Sequence, residues 1–112
     1  MERFKMTDDQ NNNETIDAIM EYPLLAEKVK QVLKTLVLFD SPVSAESVIN
    51  ASGLGKQVVY PALNKLIQSD FVDRLSDSKT SCYLFSVKDN NIQNIIDLYH
   101  KTKIIKGINL TN

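Results

Sequence analysis

The sequence holds one cysteine, no tryptophan, one histidine and two arginines in 112 residues. A lone Cys82 excludes an intramolecular disulfide and any multi-cysteine zinc site. No apolar run approaches the ~18 residues of a membrane span. The N-terminus, MERFKMTDDQNNNE, lacks the apolar stretch of a secretory signal. With so little cysteine, a cytoplasmic location is expected. There is no Ser/His/Asp order, no phosphate-cradling glycine loop and no cluster of metal ligands, so neither an enzyme nor a cofactor or metal site is expected. His100, beside Lys101 and Lys103, reads as a surface residue, and Cys82 as a half-buried strand residue.

What is present is an ordinary globular composition, 43% hydrophobic and 24% charged, enough for one domain with one modest core. The formal net charge is −1, but it is unevenly distributed. Residues 1–27 carry two basic against seven acidic side chains, a balance of −5, and residues 28–112 carry eleven against seven, a balance of +4. An acidic head on a weakly basic body permits a nucleic-acid face without requiring one.

Periodicity gives the organisation. Residues 1–14 read as a disordered acidic and polar tail, because Thr7–Asn13 is a polar tract with few apolar anchors. Thr15 caps a short helix over 15–22 carrying Ile16, Ile19 and Met20. Pro23 suits the first turn of a helix over 24–39, where Leu25, Val29, Val32, Leu36 and Phe39 form a stripe widened by Leu33 and Val37. Asp40-Ser41-Pro42 ends it. Val43 is a token strand and Ser44 an N-cap for a helix over 45–52 that Gly53 closes in the left-handed conformation.

A third helix over 56–69 buries Val59, Leu63, Leu66 and Ile67. Gln57, Tyr60, Pro61, Asn64 and Gln68 lie on its opposite side. Pro61 is placed near the end of the first turn, where a missing amide hydrogen costs least. Residues 71–75 and 82–87 read as a hairpin around a polar turn over 76–81. A last helix over 89–105 has Ile92, Ile95, Ile96 and Tyr99 on one stripe, and Ile104, Ile105 and Ile108 continue the apolar content, the last of them within a tail over 107–112. The domain is thus expected over 15–106, with its core over 24–87.

The run Gly53-Leu54-Gly55-Lys56-Gln57-Val58-Val59-Tyr60-Pro61-Ala62-Leu63-Asn64-Lys65-Leu66-Ile67, followed by Phe71-Val72, resembles the recognition segment of winged-helix transcription regulators. Its Val-Tyr-Pro-Ala-Leu portion is most similar to PadR-like regulators, and the compact spacing upstream to MarR-like and TrmB-like groups. The resemblance covers residues 24–87. It implies an α+β, mostly α fold: a winged helix-turn-helix with flanking N- and C-terminal helices. It also implies a sequence-specific double-stranded DNA-binding regulator, with helix 56–69 in the major groove and the 76–81 turn as the wing. The sequence departs from many relatives at Gly55, where they carry Ser, at Gln57 and Val58, where they carry Ser or Thr, at Pro61, where they carry Arg, and at Ile49, where they carry Ala.

On this reading Lys56, Lys65, Lys79 and Arg74 meet phosphates. Gln57 and Asn64 pair with adenine, and Val58 touches a thymine methyl. Tyr60 offers its hydroxyl to a phosphate, and Ser78, Lys79 and Thr80 are donors at the wing tip. Each has a plainer alternative. The lysines are solvated, Gln57 and Asn64 belong to an ordinary polar face, Tyr60 packs on the hairpin, and Arg74 pairs with Asp73 or Asp77 or covers a sheet face. The stripe Ile92, Ile95, Ile96 and Tyr99 either joins a second subunit in a two-fold dimer or folds back onto the first helix. The competing function is a winged-helix protein-interaction module without direct DNA binding.

Overall fold

The structure, a computed structural model, describes the backbone of residues 5–39, 41–77, 79 and 82–111, and the side chains of 13–39, 41–77, 79 and 82–103. The elements are α1 (Lys5–Met20), α2 (Glu27–Phe39), β1 (Val43–Ser44), α3 (Ala45–Ser52), α4 (Lys56–Gln68), β2 (Val72–Asp77), β3 (Cys82–Val87) and α5 (Asp89–Thr111). The three strands form one antiparallel sheet in the order β1-β3-β2.

The order of elements is the expected one, and the differences lie at the ends. α1 starts ten residues before Thr15, and α5 runs through the segment expected as a C-terminal tail. No proline or glycine interrupts residues 5–20, so nothing local stops the first helix. Gly107 lowers helix propensity by only about 1 kcal/mol, which weakens α5 without ending it. Residues 1–4 and 112, and the side chains of Ile104, Ile105 and Ile108, lie outside the described residues. α2 begins at Glu27, three residues late. Residues Glu21–Ala26 form a turn, and the Lys30 amide donates to the Ala26 carbonyl at 2.9 Å as the helix begins. Leu24 is therefore left 74% exposed, while Leu25 is buried. The Lys30 ammonium reaches back to the Met20 carbonyl, 2.9 Å away, and ties α2 to the end of α1.

One cluster joins all the layers. Val32, Leu33 and Leu36 of α2 meet Val48 of α3, Val59, Leu63 and Leu66 of α4, and Val72 and Phe85 of the sheet. Ala18 and Ile19 of α1 and Ile92 and Ile95 of α5 close the other side. Truncating one of these buried leucines to alanine costs about 2–5 kcal/mol, a large share of a small domain's stability.

Local chemistry sets the junctions around α4. Ser44 caps α3, its hydroxyl oxygen accepting from the Ser47 amide at 3.1 Å. Gly53 takes φ +76°, and its amide donates to the Ile49 carbonyl at 3.1 Å, closing α3 as expected. Leu54 then turns inward, with its amide donating to the Ser52 hydroxyl at 3.1 Å.

At the far end of α4 the Phe71 amide donates to the Leu66 carbonyl (2.9 Å) and the Asp70 amide to the Ile67 carbonyl (3.0 Å). That is the Schellman pattern, with Asp70 in the left-handed position at φ +68° and Phe71 buried on the core beside Leu66. Asp70 is the one non-glycine residue with positive φ among the described residues.

Candidate nucleic-acid interface

α4 presents a two-sided surface. Val59, Ala62, Leu63 and Leu66 are buried, whereas Lys56, Gln57, Tyr60, Pro61, Asn64, Lys65 and Gln68 are exposed. α2, α3 and β2 cover the apolar side and leave the polar side clear. The expected opposition of stripe and free face is therefore present. Ala62 belongs to the buried side as well, and Ile67 is only half-buried.

Two features of α4 differ from expectation. The helix starts at Lys56, so Pro61 stands in its second turn, not near the end of the first. An amide at position 61 would have bonded the Gln57 carbonyl, and proline has none to offer. The ring is exposed, so the water side of the helix absorbs the loss. Val58 is half-buried at the side of the helix and does not stand on the free face as a base-contacting residue would. The N-cap Gly55 makes no side-chain cap. An added Cβ there would lie 2.9 Å from Gln57 Oε1, so the Gln57 carboxamide folds back over Gly55 at the start of the helix.

The hairpin supplies the second part of the site. β2 and β3 pair Arg74 with Phe85 and Ser76 with Tyr83. Arg74 and Tyr83 are thus diagonal neighbours on one face. The guanidinium carbon stands 4.5 Å from the Tyr83 ring centroid, a cation–π contact. Arg74 therefore covers the sheet face, one of its plainer alternatives, while remaining exposed. Tyr83 was not singled out from the sequence. The signal that would have found it is the hairpin register, which a loop of uncertain length does not specify. The strand continues through Ser76 and Asp77, so the turn is shorter than the expected 76–81. The Lys79 amide donates to Asp77 Oδ1 at 3.1 Å, and the Lys79 side chain is exposed. Ser78 and Thr80 lie outside the described residues. Cys82 is exposed rather than half-buried, because it lies toward the turn end of β3, beyond the core.

A polar joint fixes the back of α4. Lys88 lies between Asp70 and Asp73, its ammonium bonded to Asp70 and 3.4 Å from Asp73 Oδ1. Asn91 donates to both the Asp70 carbonyl and the Asp70 carboxylate. The Lys88 amide donates to the Phe71 carbonyl at 2.8 Å. The hydrogen bond from Lys88 first, then that from Asn91, holds the Asp70 carboxyl below its ordinary range, and the Asp70 hydrogen bond raises Lys88. The start of α5 is thereby fastened to the end of α4.

The four residues considered for a subunit interface face inward. Ile92 and Ile95 are buried in the chain's own core, Ile95 to 1% exposure, and Ile96 and Tyr99 pack against it. α5 lies on α1, with His100 Nε2 2.9 Å from a Glu14 carboxylate oxygen. Within the single chain, the stripe packs on the chain's own core.

No protein-family profile matches the sequence, and no curated protein does. Solved structures do match. One described as a MarR family transcription regulator superposes with a TM-score of 0.60 at 12% identity, over 97% of this chain and 78% of its own. The fold is a winged helix-turn-helix. A possible transcriptional regulator from Methanosarcina mazei matches with a TM-score of 0.58 at 20% identity, over 85% of this chain and 84% of its own. The transcriptional regulator BldR from Sulfolobus solfataricus gives 0.58 at 16% identity, over the whole of this chain and 80% of its own. At these identities the likeness is one of fold alone.

Proposed function

We propose that the protein is a sequence-specific double-stranded DNA-binding transcription regulator rather than an enzyme, with α4 entering the major groove and the hairpin turn acting as the wing. The observation that carries this reading is the exposed polar strip of α4, held outward by a fully buried stripe on its other side. A major groove about 12 Å wide accepts such a helix. Lys56 and Lys65 on α4 and Lys79 at the turn are exposed cations suited to phosphates, and Arg74 reaches the backbone beside the wing while stacked on Tyr83. Tyr60, 50% exposed, offers its hydroxyl on the same side of the helix. Ser78 and Thr80 are proposed as further wing donors.

The solved structures described as transcriptional regulators support regulation as the role. Among the described residues no helix is long and apolar enough to cross a membrane, and a cytoplasmic site of action is part of the proposal. The balance of +4 over residues 28–112 is too small for strong nonspecific binding, so base contacts and a second half-site must contribute. A two-fold homodimer supplies that second half-site. Its interface must use surface other than Ile92 and Ile95, which are already buried.

The test is a titration of the folded protein with duplex DNA at low and moderate salt. Salt-dependent binding that is lost in a Lys56→Ala/Lys79→Ala double variant supports the reading. A folded protein with no salt-dependent response to any duplex rejects it and favours the protein-interaction module.

A further inference from the structure

We infer that the duplex taken by this site is A·T-rich, read in the major groove by a row of carboxamides on α4 with Pro61 against a thymine methyl. This inference rests on the proposed DNA-binding function and specifies its substrate class.

The argument starts from the helix wheel. At about 100° per residue, the direction opposite the buried Val59, Ala62, Leu63 and Leu66 is occupied by Gln57, Pro61, Asn64 and Gln68. All four are exposed. Lys56 and Tyr60 lie toward one edge of this strip, and Lys65 lies toward the other with the half-buried Val58. A helix seated in a groove turns its centre line to the bases and its edges to the two phosphate walls. The cations of α4 are therefore placed for phosphates, and the centre line holds three carboxamides and one apolar ring.

Those groups discriminate between bases. A carboxamide has a donor and an acceptor side by side, the complement of adenine N6 and N7. Guanine presents two acceptors at N7 and O6, which would leave the carboxamide oxygen unpaired in a desolvated site. Guanine is read by arginine or lysine. The chain's two arginines, Arg3 and Arg74, are both off α4, and that helix's lysines, Lys56 and Lys65, stand at the edges of the strip rather than on its centre line. Pro61 has no donor to lose, and its exposed ring suits the thymine 5-methyl group. It takes this role from Val58, which sits too far to the side. The Gln57 carboxamide lies over Gly55, in space that a side chain at that position would take. Gln57 and Asn64 are seven residues apart, about 10.5 Å along the axis, or roughly three base-pair steps.

The experiment selects duplexes bound by the full chain from a random pool and then probes the best one by fluorescence anisotropy. Adenine is replaced by 7-deazaadenine, and thymine by uracil, within the half-site. Both keep Watson–Crick pairing and alter only the major-groove edge. The expected result is a half-site with at least three adjacent A·T pairs, and a loss of about fivefold or more in affinity for each replacement. In a Gln57→Ala/Asn64→Ala variant the 7-deazaadenine penalty should vanish while its thermal melt stays near that of the parent, since both side chains are exposed. A selected site requiring G·C at the centre of the half-site, or affinity indifferent to both replacements, overturns the inference and leaves DNA binding standing. Failure to retain any duplex overturns the DNA-binding reading and this inference with it.

Discussion

Gly55 and Asp70 mark the two ends of α4, and each holds a conformation for a different reason. Gly55 has φ −73°, which any residue accepts, so its missing side chain matters for space rather than for backbone freedom. Gly55→Ser would add the absent N-cap and push aside only the flexible end of Gln57. The expected gain is a few tenths of a kcal/mol in thermal unfolding, accompanied by an altered base preference as Gln57 is re-aimed. Asp70 is the opposite case, since its positive φ is costly for a side chain and is held by Lys88 and Asn91. Asp70→Gly keeps the turn and loses the carboxylate's bonds, whereas Asp70→Ala loses those bonds and strains the turn, so the glycine variant should melt several degrees above the alanine variant. The joint also has a pH signature. The carboxyl of Asp70 is lowered in the folded chain, so its contribution is present above the ordinary carboxylate range and is lost as pH falls through the lowered value. Lys88, being raised, contributes below its ordinary range and loses that contribution only in strong alkali. Denaturant unfolding of Lys88→Met across pH 2–6 should show a flatter acid limb than the parent.

At the scale of elements, α4 combines a strong buried stripe with a poor helix former in its second turn. Pro61→Ala would restore an amide for the Gln57 carbonyl, and stability should rise by about 1–3 kcal/mol. The same change removes the apolar ring from the groove face, so affinity for the selected duplex should fall while the melting temperature rises. A fall in both would mean that the ring packs within the fold. The hairpin was legible as two strands and a turn, because aromatic and branched residues flank a polar stretch. Its register was not, and with it the Arg74–Tyr83 stack went unseen.

For the whole molecule, the decisive feature is that α5 closes the core of its own chain. Ile95→Ala should lower stability by about 2–5 kcal/mol, as a cavity in the chain's own core does. An interface residue would instead weaken self-association, which analytical ultracentrifugation of the variant beside the parent would reveal. The charge division belongs to this scale as well. An acidic N-terminal quarter and a weakly basic remainder give modest salt dependence for a single half-site and a steeper one for two.

By itself, the sequence determined the order of elements, the caps at Ser44 and Gly53, the buried stripe of α4 and the polarity of its other face. These follow from neighbours within one or two helical turns, where spacing and capping chemistry act directly. The tertiary structure decided which free surface survives packing. Val58 ends half-buried at the side of α4. Arg74 meets Tyr83 because the strands pair in one register, and Ile92 and Ile95 are spent on the core because α5 folds back on α1. Each of these depends on contacts between residues far apart in the chain, and an apolar stripe looks the same in sequence whether its partner is the same chain or another.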